Sequence, residues 1–559
     1  SDLLNEPNRL FAFFESFATL DASLMLQLTT HLVLFGGAIL RLGTEEHLRK
    51  YIPAVESHSL VGCVAYSELG HGSNMKDIET TATYDSEREE FVIHTPTETA
   101  QKAWITGALH LATVAVIFAQ LHVSGQCHGV HCFVVHFRNP EGTLVPGVKV
   151  LPCGRNAGLP ELDMGRMWFD SLRVPRTSLL NRYGSVTPRG TYFSPLASDS
   201  KRLAKFLGEN VMSRMIASIG AVLAARSGLR IATQYSAQRR QFGPPGEPEL
   251  PLLSYPVHQA RLVPYIAESY ALGAFGEEVK VMWHTSEKKD RTVFVAALKY
   301  AATEHGNSSL RQCRHACGAQ GNLLRNIIGK LYMDVDVMAT LDGDQQLLLQ
   351  LISGHAMKRL GKSFSGVSGA LGYCGRIVSG FLDANPLSSR NTGVLHLMDS
   401  AFHQACFQYK EYQLARGLAS SISKRTANGQ SYFDAWNCCG MHVAELGRAF
   451  VTRHVHEAFL KDVVALEKAQ SGIAPTLRKL VSLFAVWKIS TDRWFLQHDF
   501  IAPVKARALE KLLASLVADV TKDSLALVHS WAIPAEVFEG TIGAADWPKS
   551  QCYATAARL

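Results

Sequence analysis

In the run Ala-Thr-Leu-Asp-Gly-Asp-Gln-Gln-Leu-Leu-Leu-Gln, residues 339–350, two tasks are open to the carboxylate of Asp342. In a water-poor pocket a carboxylate can take a proton from carbon, because desolvation disfavours its ionised form and raises its basicity. Followed three residues later by Gln345, and then by Leu347, Leu348 and Leu349, the same residue has the form of a helix N-terminus with a capping box. On spacing alone the helix start is the expectation. Chemistry has to find its support elsewhere in the chain.

Other reactive residue types offer less. The segment 122–132, His-Val-Ser-Gly-Gln-Cys-His-Gly-Val-His-Cys, packs three His and two Cys into eleven residues, but at no usual zinc spacing. Its Gly125 and Gly129 breaks predict a hairpin that sends alternate side chains to opposite faces, so no metal site is expected. Cys313 and Cys317 are expected to be buried helix residues, and no Gly-x-Ser-x-Gly elbow provides a serine nucleophile. The loop Gly70-His71-Gly72-Ser73-Asn74 follows a strand pattern and offers backbone N–H groups and hydroxyls to an anion such as a pyrophosphate. A plain turn is the alternative.

The elements that must position these groups change texture along the chain. Residues 1–58 read as helical, with apolar spacing through Phe11, Phe14, Phe17 and Ala18. Residues 59–190 alternate short apolar runs with Gly, Asn and Pro breaks, a β domain by period. From 191 to 360 helical spacing returns, with Met212, Met215, Ile216, Ile219 and Leu223 on one face. Residues 361–393 hold seven Gly and six Ser, the composition of a linker, and a second helical block occupies 394–559. The fold class expected is α+β, mostly α.

With 559 residues, 47% of them hydrophobic and 19% charged, the chain has apolar material for several domains. A net charge of +7 with scattered Lys and Arg gives no support to nucleic-acid binding, though it suits an anionic small substrate. Eleven cysteines without a Cys-x-x-Cys pair fit a reducing compartment. Residues 22–40 and 103–137 lack Asp, Glu, Lys and Arg, yet polar and Gly interruptions favour buried helices and strands, and no membrane span is expected. The last residues, Ala557-Arg558-Leu559, fit a peroxisomal address read by an import receptor. The chain begins at Ser1 inside a helical pattern, so a processed or shortened N-terminus is expected.

Five motifs occur in order: Ser-Glu-Leu-Gly-His-Gly-Ser-Asn at 67–74, Lys-Ala-Trp-Ile-Thr-Gly at 102–107, Arg-Arg-Gln-Phe-Gly at 239–243, Cys-Gly-Ala-Gln-Gly at 317–321, and Asp-Gly-Asp-Gln at 342–345. In these the chain resembles the peroxisomal acyl-CoA oxidases of the acyl-CoA dehydrogenase superfamily, from about residue 10 to 545. The resemblance implies a partial N-terminal helical domain, a central β-barrel-like domain, a flavin-binding helical bundle and a second, C-terminal helical domain. It also implies FAD as cofactor, a fatty acyl-CoA and O2 as substrates, and a homodimer with FAD at the subunit interface.

By the same resemblance Ser67, Trp104, Thr106 and Gly107 lie along the flavin, with the Gly107 N–H as a contact. Arg239, Gln241 and Phe242 hold the FAD of the partner subunit, Gly318 and Ala319 form a turn that FAD approaches closely, and Asp344 and Gln346 face the dinucleotide. Ser73 and Arg214 are carried over to the CoA portion, and Asp342 to the base.

The family base is Glu, and Asp342 reaches roughly 1 Å less far, a displacement that can cost about 100-fold in rate. Some relatives place the base beside the position of Arg214, but Ser213 stands there and cannot serve. Three readings stay open: a working oxidase, an acyl-CoA dehydrogenase, and a catalytically weakened homologue that binds FAD and acyl-CoA.

Overall fold

The computed structural model describes residues 6–285, 288–364 and 390–549, which divide into two compact units, Ser1–Ala217 and Ser218–Leu559. The stretch 365–389, most of the expected linker, and Ala557-Arg558-Leu559 lie outside the described residues.

The first unit opens with helices α1 (Pro7–Leu20), α2 (Ala22–Leu28), α3 (Gly36–Leu42) and α4 (Glu45–Glu56), with a π-helical turn at Thr29–Phe35. Ala22–Leu42 and Asp199–Gln238 are long and apolar enough to cross a membrane, but their apolar windows are 72% and 83% buried inside the protein. The strands are β1 (Gly62–Ala65), β2 (Thr81–Asp85), β3 (Glu90–His94), β4 (Lys102–Thr106), β5 (Val114–Val123), β6 (Gln126–His136), β7 (Val148–Pro152), β8 (Met164–Phe169) and β9 (Leu172–Pro175). Strand β5 organises them. β1 and β2 lie end to end along one edge of it, both parallel, and β6 pairs antiparallel with the other edge.

Period-two alternation in β5 builds two cores. Ala115, Ile117, Ala119 and Leu121 face a cluster with Ile105, Met167 and Phe169, from the second sheet β4-β8-β7. Val114, Val116 and Phe118 face the helices through Phe35, Ile39, Tyr51 and Val55. Gly62 permits that second contact, since a Cβ there would sit 2.2 Å from the Phe35 ring. The His- and Cys-rich segment is the β5–β6 hairpin, turning at Ser124-Gly125. Buried His131 bonds Gly129 O and Tyr192 Oη, each at 3.0 Å.

The second unit is helical. Most of α6 (Asn210–Gln238), which follows α5 (Asp199–Phe206), leads into α7 (Pro256–Thr285), α8 (Lys288–Ala316), α9 (Ile328–Thr340) and α10 (Gln345–Phe364). Helix α10 thus runs four residues into the stretch expected as linker. Beyond it lie α11 (Ser400–Ala427), α12 (Tyr432–Cys438), α13 (Gly440–Lys468), α14 (Ala474–Thr491) and α15 (Pro503–Thr521). Glu268 on α7 is a partly buried carboxylate paired with Lys488 and His305. Burial pushes it upward, but Lys488 at 2.6 Å and His305 at 3.1 Å outweigh this and hold it at about 2.

Burial, the largest cause, keeps two other groups neutral: His403 on α11 and His456 on α13 are held down at about 4 and about 3. Unfolded imidazoles titrate near pH 6.5, so unfolding takes up protons between about pH 6.5 and 4. Stability of this unit is therefore full above that window and falls as pH drops through it, by about 1.4 kcal/mol per pH unit for each ring. Urea midpoints measured from about pH 7.5 to 5.5 are expected to decline; a flat profile contradicts the assignment.

Candidate active site

In the first unit two of the sequence motifs form one ribbon. Gly70 N donates to Thr99 O, Leu69 N to Gln101 O and Ala103 N to Ser67 O, at 2.9, 2.9 and 3.1 Å. The ribbon is locked from inside by a buried ion pair: Lys102 Nζ lies 3.0 Å from Glu68 Oε1 and donates to Tyr66 O at 3.2 Å. Glu68 also accepts from Glu79 N, Thr80 N and Thr80 Oγ1, so its charge is well solvated by donors. Burial draws the Lys102 ammonium down to about 8, against the opposing pull of Glu68. Charged residues are usually taken as surface groups, so neither partner stood out in the sequence.

That lock sets the geometry of Trp104. A register shift between Lys102 and Ile105 puts Trp104 at a bulge, with φ of +65°. Trp104 is 57% exposed although its neighbours Ala103 and Ile105 are buried. A non-glycine residue in this region is strained, and bulges re-aim side chains beside active sites. Ser67, next to this strand, is half-buried and gives its hydroxyl hydrogen to Ala103 O at 2.9 Å, leaving the oxygen's lone pairs as acceptors.

Two expectations need correction here. The Gly107 N–H does not serve a flavin, because it donates to Asp163 O at 2.6 Å. Gly107 is required for a different reason: its φ is +87° and a Cβ would meet Gln27 Nε2 at 2.8 Å. Asp163 shapes this turn further by accepting from His110 N and Leu111 N, a role the sequence did not signal. In the glycine loop, the amides of Gly70 and His71 are committed to Thr99 O and Glu68 O, so only its later part can face an anion. Ser73 is exposed there, Thr106 is half-buried in β4, and Arg214 is half-buried on α6.

In the second unit the five-residue motif at 239–243 opens an exposed hairpin, Arg240–Gln241 pairing with Leu250–Pro251. Tyr255 Oη lies 2.9 Å from the carbonyls of both Gln241 and Phe242 and pins this arm of the hairpin. Phe242, 79% exposed at φ +26°, and the exposed Arg239 and Gln241 stand clear of the unit's core.

The glycine turn follows α8. Gly318 has φ +57° with open space where a Cβ would be, and Gly321 lies so close to the chain that a Cβ would sit 2.2 Å from Arg314 O. Ala319 stands exposed between them. The residues that must be glycine are therefore Gly318 and Gly321, and Ala319 falls where a methyl is accommodated. Cys313 and Cys317 are buried, the latter's thiol pushed up to about 12 by burial.

Asp342 does not start the helix. Helix α10 begins at Gln345, and the cap is Asp344, whose Oδ1 accepts from Gln346 N at 2.8 Å and Leu347 N at 3.4 Å. Asp344 and Gln346 are exposed at this helix start. Asp342 lies two residues earlier, half-buried at φ +54° in the turn between α9 and α10. Asp is among the few residues that tolerate this region. The task that competed with chemistry thus belongs to its neighbour.

A cavity of about 310 Å³ lies among α11, α13 and α14 and holds none of these residues; its Lys410, Glu445, Arg448 and Asp492 pair with one another.

Three family models match in chain order: the acyl-CoA dehydrogenase middle domain at 63–172, the acyl-CoA oxidase C-alpha1 domain at 209–357, and the acyl-CoA oxidase domain at 399–546. Human peroxisomal acyl-coenzyme A oxidase 3 is 35% identical over 573 residues, covering 98% of this chain and 81% of that protein. The crystal structure of acyl-CoA oxidase 3 from Yarrowia lipolytica, 26% identical, matches with a TM-score of 0.87 over 98% of this chain and 81% of that one. Acyl-CoA oxidase-1 of Caenorhabditis elegans, complexed with FAD and ATP, is 25% identical, with a TM-score of 0.82 over 95% of this chain and 80% of that one. A dehydrogenase-type β module followed by two oxidase-type helical modules places the fold in the acyl-CoA dehydrogenase and oxidase superfamily. Within it, the chain belongs to the acyl-CoA oxidase family. Its compartment is the peroxisome, for which its curated relatives are named.

Proposed function

We propose that the chain oxidises fatty acyl-CoA thioesters to 2-enoyl-CoA, with FAD as cofactor and Asp342 as the base that takes the α-proton. The observation that carries this is the division of labour at 342–344: Asp344 caps the helix, and Asp342 sits half-buried in a left-handed turn. The residues present fit a flavin dinucleotide. Trp104 offers an exposed flat ring on a strained bulge, Ser67 an acceptor beside it, and Gly318 a backbone without a Cβ.

When bound, FAD would supply the acceptor for the β-hydride, and its reoxidation by O2 would give hydrogen peroxide. The protein's own work is positional and acid–base. Asp342 accepts the α-proton and must lose it again before the next turnover. Hydrogen bonds to the thioester carbonyl acidify that carbon by stabilising the negative charge that develops on its oxygen. Ser67, Trp104 and Thr106 would hold the ring system, Gly318 and Ala319 the close approach, Asp344 and Gln346 the dinucleotide side, and Ser73 and Arg214 the CoA portion.

Arg239, Gln241 and Phe242 would reach the FAD of a second copy, the guanidinium meeting the pyrophosphate by charge-assisted bonds. Exposure of Phe242 on the arm of a pinned hairpin supports that homodimer, since a large apolar side chain held in water favours a partner surface. A peroxisomal import receptor would read Ala557-Arg558-Leu559.

The shorter reach of Asp342 favours a second reading, a weakened homologue that binds FAD and acyl-CoA without turning over. Assay in air separates the two. An oxidase is expected to form one hydrogen peroxide per enoyl-CoA. Enoyl-CoA formed only with an added electron acceptor points to a dehydrogenase, and binding without product to the weakened homologue.

A further inference from the structure

Beside the turn that carries Asp342 lies a lysine that no motif includes. Lys299, on α8, is 0% exposed, and its Nζ donates to Gly343 O at 2.6 Å. One helical turn further on, buried Thr303 gives its hydroxyl hydrogen to Lys299 O at 2.9 Å and accepts from Gln345 Nε2 at 3.2 Å. Residues four apart share a helix face, so both grips come from one side. They fall on Gly343, the residue after Asp342, and on Gln345, the first residue of α10, and thus hold the turn where it leaves Asp342. Leading into these two grips the chain takes positive φ at two successive residues, 54° at Asp342 and 116° at Gly343, a conformation that needs outside support.

We infer that Lys299 and Thr303 are positioning residues for the proton-abstracting carboxylate, a role that rests on Asp342 being the base. A buried ammonium is costly unless it is bonded, and here the Gly343 carbonyl is one of its acceptors. A flexible turn would let the Asp342 carboxylate wander over distances that matter, since about 1 Å of misplacement costs on the order of 100-fold. The two grips, on Gly343 O and on the Gln345 side chain, hold the chain just after Asp342, so the short Asp side chain starts from a defined place. Neither residue needs to touch the substrate for this.

The test uses the flavin-loaded full chain, with anaerobic bleaching by a saturating acyl-CoA as the readout. Lys299→Met, which keeps the length and loses the ammonium, is expected to slow bleaching about 10- to 100-fold. The acyl-CoA dissociation constant, read from the spectral shift of the oxidised flavin, is expected to stay within about threefold of the parent's. Thr303→Val is expected to slow bleaching to a lesser degree, and Thr303→Ser, which restores the hydroxyl, to recover it.

Because both act through Asp342, adding Lys299→Met to Asp342→Asn is expected to slow bleaching no further. Wild-type bleaching rates in flavin-loaded Lys299→Met would overturn the proposal. If that variant does not fold, equal rates in Thr303→Val and the parent would overturn it instead. Failure of the base assignment looks different: Asp342→Asn itself would then bleach at the parental rate.

Discussion

Asp342→Asn is expected to cut flavin bleaching by acyl-CoA by about 1,000-fold or more while leaving flavin content and thermal stability near the parent's. Asn matches Asp in shape, and both tolerate the left-handed backbone at this position, where φ is +54°. The helix start is unaffected, because Asp344 supplies the cap. What disappears is basicity, and a positioned general base contributes typically 10²- to 10⁴-fold. A variant that keeps its rate within about tenfold would remove Asp342 from the chemistry. Asp342→Glu separates the working enzyme from the weakened one. Glu regains the missing methylene, but it is less at home at positive φ and carries its carboxylate roughly 1 Å beyond the place where the clamped turn sets it. No gain is expected, whereas a much faster Glu variant would favour the weakened reading.

Lys102→Met is expected to destabilise the first unit by about 3 kcal/mol, because it leaves Glu68 buried without its cation. The carboxylate keeps three donors, from Glu79 N, Thr80 N and Thr80 Oγ1, which holds the loss to the lower end of the usual range for broken buried pairs. The damage is also functional. Lys102 begins the strand whose bulge aims Trp104, so flavin retention should fall together with the denaturant midpoint. Pairing the change with Glu68→Gln, which removes the stranded charge, is expected to recover part of the loss. A single variant within about 1 kcal/mol of the parent would show that the pair does not lock the ribbon.

Why some of this was legible in the sequence and some was not follows from the range of the interactions. The alternation of β5 and the helical spacing of α6 are local patterns, and they located the β and helical regions. The five motifs drew attention to Trp104, Phe242 and the Asp342 turn, whose roles rest on the resemblance and are proposals. The assignment of the cap to Asp342 failed because Asp-x-x-Gln spacing is satisfied at 342 and 345 whether or not the helix starts there. The deciding facts, a positive φ and a lysine from α8, arise from packing. Gly107 was placed in the right turn but given the wrong reason, since an amide's partner is invisible in a sequence and the carbonyl of Asp163 takes it. Glu68, Lys102 and Lys299 were passed over because a charge in a sequence reads as surface, and only the fold shows all three buried. Ala319 stood out as a departure from the family glycine, yet the close approach in the described turn is made by Gly321.

The most direct measurement is anaerobic: mix the flavin-loaded chain with a medium-chain and a long-chain acyl-CoA, follow the flavin absorbance, then admit air. If Asp342 is a competent base in an oxidase, the absorbance bleaches rapidly and recovers promptly on aeration, with hydrogen peroxide formed. A flavin spectrum that shifts on binding but never bleaches would contradict this.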